Sequence, residues 1–187
     1  MKVTRKGLLI LVITLLCLGA WSSSATARPV IINDTLSGKL LFPGLPHEND
    51  DGSTTYLGVT YLGTATGNLP GTWAMVLAVT YPAGSTTGND TGVIVVGDRT
   101  DNVYGILIGT MDATMGTFDQ TVVVLGGFGA YAGMAGAGTC QGTLTNEGET
   151  IEGSLSLVLT PTPKEGLKAL PEGVKADINR ALSLLKP

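Results

Sequence analysis

The residue types that could do covalent or metal chemistry are scarce in this chain of 187 residues, which holds one His and two Cys. His47 opens the segment His47-Glu48-Asn49-Asp50-Asp51-Gly52, whose carboxylates and carbonyls could in principle hold a hard cation. Set against a calcium loop, His47 stands where an aspartate is needed and Gly58 where the bidentate glutamate belongs. The segment reads as a solvated acidic turn, and no metal is assigned. Gly127-x-Gly129-x-x-Ala132 matches a dinucleotide fingerprint in form, but Gly133, Gly136 and Gly138 would cripple the helix that must follow and no βαβ unit surrounds it. No cofactor is therefore expected. What remains is an apolar face with a few hydroxyls. Trp73, Met75, Leu77 and Tyr81 alternate along one run, and with Tyr104 and Cys140 they are the candidates for lining a small-molecule pocket.

The composition bounds the compartment and the partners. Charged residues make up 14% of the chain, well below the roughly 25% of ordinary soluble domains. No basic patch exists to neutralise phosphates, which excludes a typical nucleic-acid binder. Met1-Lys2-Val3-Thr4-Arg5-Lys6 is basic, residues 7–21 are almost wholly apolar, and Ala25-x-Ala27 ends the stretch. That order is the layout of a secretory signal peptide. The apolar run is too short for a spanning helix, which needs about 20 residues. Cleavage after Ala27 predicts a secreted, extracytoplasmic protein with no transmembrane segment left after signal removal. Removing Lys2, Arg5 and Lys6 leaves eight basic against fifteen acidic residues, a net charge of −7. Cys17 leaves as well, so Cys140 cannot form an internal disulfide and reads as a buried core thiol.

The elements that must carry these side chains read as strands. Trp73, Met75, Leu77, Val79 and Tyr81 share one face, and Ile151, Leu155, Leu157 and Leu159 alternate with Glu152, Ser154 and Ser156. Period 2 is the mark of a strand with one buried face. Further runs cover 30–42, 54–66, 92–98, 103–112, 120–125 and 135–145, making eight. Turn-forming residues separate them at 68–71, 82–85 and 87–90. No helical pattern intervenes, so neighbouring strands should be antiparallel. Eight such strands suggest a closed barrel, whose interior side chains fill or a small ligand occupies. After the stiff Pro161-Thr162-Pro163, Leu167, Leu170, Val174, Ile178, Leu182 and Leu185 recur at helical spacing. The expected organisation is a signal peptide at 1–27, a barrel at 28–160 and a Pro-flanked helical tail at 161–187.

The segment Gly126-Gly127-Phe128-Gly129-Ala130-Tyr131-Ala132-Gly133-Met134-Ala135-Gly136 resembles the glycine-rich signature of the allene oxide cyclase and dirigent barrel superfamily. Gly126, Gly127, Gly129, Tyr131, Gly133 and Gly136 match, while Phe128 and Met134 depart from Thr and Ala. The resemblance implies an all-β protein, a closed eight-stranded antiparallel β-barrel with an apolar central cavity, here followed by a C-terminal amphipathic helix. Relatives of this kind cyclise or steer unstable apolar substrates without metal or organic cofactor. Their catalytic residues have no counterpart motif here, so catalytic residues stay unknown and the glycine motif is read as structural.

Two functional classes follow. One is an exported barrel that binds a small apolar molecule, with cofactor-free cyclase or isomerase chemistry by resemblance. The other is a non-catalytic extracellular module for structure or surface assembly. Both leave room for a homo-oligomer, and neither calls for nucleic acid.

Overall fold

The computed structural model describes residues 28–162 and 171–185. The signal-type stretch at 1–27, and Leu167 and Leu170 of the tail, lie outside the described residues. Nine strands run in chain order: β1 (Val30–Phe42), β2 (Leu45–Glu48), β3 (Thr54–Gly67), β4 (Gly71–Tyr81), β5 (Thr87–Gly97), β6 (Asn102–Asp112), β7 (Thr117–Phe128), β8 (Met134–Thr145) and β9 (Thr150–Pro161). Each pairs antiparallel with its neighbour from β3 to β9, β9 pairs with β1, and β1 pairs with β3. That last pairing closes an eight-stranded barrel and leaves the sheet without a long free edge. Short β2 is the ninth strand. It continues β1 along the same edge of β3 after a break at Pro43-Gly44, where Gly44 takes φ +85.

Two expectations about the strands change. The segment 87–90, expected as a turn, belongs to β5, and Gly88 and Asp90 are buried inside the barrel. The acidic segment from His47 is half strand: His47 and Glu48 end β2, exposed, and the turn proper follows at 49–53. Asn49 Nδ2 donates to Ser53 Oγ, and Asp51 accepts from the Ser53 amide and hydroxyl.

Alternation decides the interior. Ile32, Leu36, Trp73, Met75, Leu77, Leu107, Val122, Leu155 and Leu157 are among the side chains that fill it, each at most 1% exposed. The large rings need glycine opposite them. Gly38 pairs with Gly63 across β1 and β3, and a Cβ at Gly38 would fall 2.5 Å from Trp73 Cζ2. Trp73 also donates its indole N–H to Ser37 O and Thr64 O. Gly142 pairs with Gly153 across β8 and β9, and Phe118 covers that pair at 2.8 and 2.9 Å from the two missing Cβ positions. Glycine in these strands lets an aromatic ring lie against bare backbone of the barrel wall.

Outside the wall, helix α1 (Glu172–Leu184) lies on β4 and β5. Ile178, Ala181 and Leu185 bury against Ala74, Val76, Val93, Val95 and Tyr104. Arg99 Nε, in the β5–β6 turn, donates to Leu185 O at the helix end. Cations near a helix C-terminus satisfy carbonyls that have no intrahelical donor.

Candidate functional site

The barrel has two unlike ends. At one end, the β3–β4 connection and the glycine segment close it. Leu69 is buried in the core cluster, Tyr131 and Met134 pack against it, and Asp34 accepts from the Leu69 amide at 3.1 Å. At the other end, a cavity of about 940 Å³ opens among the connections β2–β3, β4–β5, β6–β7 and β8–β9. Its apolar wall includes Val59, Val79, Met111 and Leu144, and its phenols come from Tyr56, Tyr61 and Tyr81. The size lies at the upper end of the range for small-molecule pockets.

The strands position these groups in a simple way. Tyr81 ends β4 pointing inward, and its ring covers Gly88 of β5, which has no side chain to compete with it. Tyr56 meets Tyr81 edge to face, with ring centroids 6.0 Å apart and planes at 84°. Tyr61 donates its hydroxyl to Gly148 O at 3.1 Å, bridging β3 to the β8–β9 hairpin. That hairpin turns through Asn146 and Glu147 at φ +52 and +57, and Glu147 lines the cavity. Burial pushes the Tyr61 phenol up to about 12, with Tyr81 beside it adding to the shift. Burial also raises Tyr81, helped by Tyr56 and by the carboxyl groups of Asp90 and Asp112. Near neutral pH both phenols are neutral hydrogen-bonding groups and poor bases.

Of the six pocket residues expected from the sequence, one lines this cavity: Tyr81. Trp73, Met75, Leu77 and Cys140 are interior, but they belong to the filled part of the core and are at most 1% exposed. Tyr104 is placed differently. It lies on the outer face of β6, under α1 and 5.8 Å from the Phe128 ring, so it faces away from the interior. The reason is that β6 is apolar on both faces, one turned to the core and one to the helix.

A polar group was missed inside the barrel. Asp90, Gln120 and Cys140 occupy inward positions on β5, β7 and β8, and Gln120 pairs in register with Cys140. Gln120 Nε2 donates to Asp90 Oδ2 at 3.0 Å. Asp90 Oδ1 and Gln120 Oε1 have no described partner. Burial raises the Asp90 carboxyl, against the lowering effect of the Gln120 bond. Burial, with Asp90 adding, pushes the Cys140 thiol up to about 12. A thiol held there is not a nucleophile at neutral pH.

The glycine motif sits at the closed end, far along the barrel from the cavity. Gly126 and Gly127 lie in β7 beside Tyr104 and Asn102, where neither has room for a Cβ. Gly129 begins a 3-10 turn at φ +59, Tyr131 ends it, and Gly133 follows at φ +75. Ala130 N donates to Asp101 Oδ1 at 2.7 Å, tying this turn to the β5–β6 hairpin. Gly136 pairs with Leu159 and Val124 in the sheet. The turn is a corner piece of the barrel. Among the described residues no three His, Cys, Asp or Glu side chains are grouped to hold a metal ion, and no helix is long and apolar enough to cross a membrane. Comparison with protein families, with curated proteins and with solved structures returned no match for this chain.

Proposed function

We propose that this protein is an exported container that binds a small apolar molecule through the open end of its barrel. The observation that carries the reading is the cavity of about 940 Å³, lined by aliphatic side chains and three tyrosines with hydroxyls of Thr54, Ser85, Thr86 and Thr114 among the loops, above a core packed without exposure. An open cavity of that size leaves its aliphatic wall in reach of water, and an apolar ligand that fits would cover that surface. The resemblance to the allene oxide cyclase and dirigent barrels supports cofactor-free steering of a reactive substrate as an extension of the same reading. In that chemistry the barrel would work by positioning, with Tyr61 and Tyr81 as neutral hydrogen-bonding groups. The glycine residues that carry the resemblance lie at the closed end, so they speak for architecture more than for reaction.

The test is a fluorescent apolar probe titrated into the mature protein. Saturable binding of one probe per chain, weakened by Met111→Trp while the melting curve stays cooperative, supports the container. Binding that Met111→Trp leaves unchanged, or no binding at all, rejects it. A surface-assembly module is favoured by a different observation. Ile31, Val158 and Val123 are exposed on adjoining strands of the outer wall, joined through Ala137 in one cross-strand row. Concentration-dependent sedimentation that Val158→Asp eliminates would support that second reading.

A further inference from the structure

We propose that the cavity selects an apolar cation, a hydrophobic amine or quaternary ammonium, over an anion of the same size. This rests on the container reading and adds a charge preference to it.

The walls supply the first argument. Among the described residues no lysine or arginine lines the cavity, whereas Glu147 does, together with Tyr56, Tyr61 and Tyr81. Aromatic rings attract a cation through their quadrupole, more strongly where water is excluded. Glu147 makes no ion pair with any described residue, so its carboxylate stands uncompensated on the hairpin above the cavity. A carboxylate or phosphate entering the same space would meet no basic partner among the described lining residues, and a charge removed from water without one is heavily penalised.

The mouth supplies the second. The connections around it carry Glu48, Asp50, Asp51, Asp112, Glu147 and Glu149, and neither lysine nor arginine occurs in 43–54, 82–86, 112–117 or 145–150. Asp51 is held below the usual carboxylate range by hydrogen bonds from Ser53, and Asp112 by those from the Met115 amide and the Thr87 hydroxyl. These groups stay ionised well into acid. The described basic residues stay off the cavity wall: Arg28 and Arg99 lie at the closed end, Lys39 is exposed on the outside of β1 in register with Thr150, and Lys175 and Arg180 are on α1, with the Arg180 guanidinium reaching β3 from outside at Gly58. Lys175 is further tied to Glu172 at 2.7 Å. A recessed pocket whose rim carries an excess of one sign concentrates the opposite charge.

Octyltrimethylammonium, 1-octanol and octanoate test the inference, since they share a chain and differ in head charge. Each is titrated calorimetrically into the mature protein at low ionic strength and neutral pH. The expected order is cation, then alcohol, then anion, with the cation about tenfold or more tighter than octanoate. One cation should bind per chain and 1-octanol should displace it. Glu147→Gln should weaken the cation several-fold and the alcohol far less, and high salt should narrow the gap between cation and anion. Octanoate binding as tightly as the cation overturns the inference while the container reading stands. So does a cation advantage that neither salt nor Glu147→Gln reduces. Cation binding in several copies that 1-octanol cannot displace also overturns it, because that is adsorption to the acidic rim. If 1-octanol itself fails to bind, the container reading falls first, and the charge preference falls with it.

Discussion

The contact between Tyr81 and Gly88 couples the barrel wall to the cavity, and a double-mutant cycle can measure it. A Cβ added at Gly88 would stand 3.0 Å from Tyr81 Cδ1, Tyr81 Cε1 and Val79 Cγ1, with no backbone atom among its nearest neighbours. Gly88→Ala therefore crowds only side chains. Overpacking of this kind costs about 1–3 kcal/mol, and the less flexible unfolded chain returns about 0.4–1 kcal/mol, so a net loss of about 1 kcal/mol is expected. Tyr81→Ala alone should cost about 2 kcal/mol, because a half-buried ring and its edge contact with Tyr56 are lost. With the ring gone, two of the three close contacts vanish and Val79 can turn. Gly88→Ala in that background should be neutral or slightly stabilising, which makes the coupling about 1–1.5 kcal/mol, within the span seen for touching residues. Equilibrium urea unfolding of the four proteins measures it. Additive losses, within about 0.3 kcal/mol, would refute the claim that glycine at 88 exists to seat the tyrosine.

Further consequences can be checked alongside. The raised Asp90 carboxyl means that the folded state holds a proton the unfolded chain has released. Its contribution is fully present below the ordinary value of 3.8 and declines as pH rises from there toward the folded value. Stability of the native chain should thus fall relative to Asp90→Asn above about pH 4, and pH-dependent melting would show parallel curves if Asp90 played no part. Cys140 should resist thiol reagents in the folded protein and react once urea unfolds it, and rapid labelling of native protein would contradict its burial. Truncation after Thr162 should uncover the apolar surface around Ala74, Val76 and Tyr104 and raise binding of a hydrophobic dye. Gly129→Val, at φ +59 against Asp101, should cost more than about 1 kcal/mol. A variant that melts with wild-type stability would show that the corner tolerates a side chain.

Legibility in the sequence followed the contrast in side-chain size between the two faces of a strand. Trp73 to Tyr81 alternates cleanly, and that strand was readable because its inward side chains are large and most lie in the core. Strand β6 was readable as a strand but not in its facing: Val103 and Leu107 point inward, Tyr104 and Ile106 toward α1, and an apolar residue looks the same on either side. Gly88 and Asp90 misled because residues that usually make turns serve here inside a strand, one seating a ring and the other bonded to Gln120. Strand β2 escaped because Pro46 reads as a break, although an edge strand accommodates proline. The cavity was illegible for another reason. Whether a barrel is full depends on summed side-chain volume across eight strands and on loops rich in Pro, Ala, Gly and Thr, and no local period records that sum.

The unlike ends of the barrel give this architecture an unusual freedom. The packed rungs around Trp73, Leu36 and Leu155, with the corner at Gly129 and the clamp of α1, hold most of the buried apolar surface of the molecule. The connections at 49–53, 82–86, 113–116 and 146–149 supply much of the cavity's lining and bury little. Loops that contribute so little to cohesion can be exchanged, lengthened or randomised at small thermodynamic penalty. Descendants of such a chain could diversify what they carry while inheriting one scaffold, and a laboratory library confined to those four loops would sample new cargo without first having to rescue the fold.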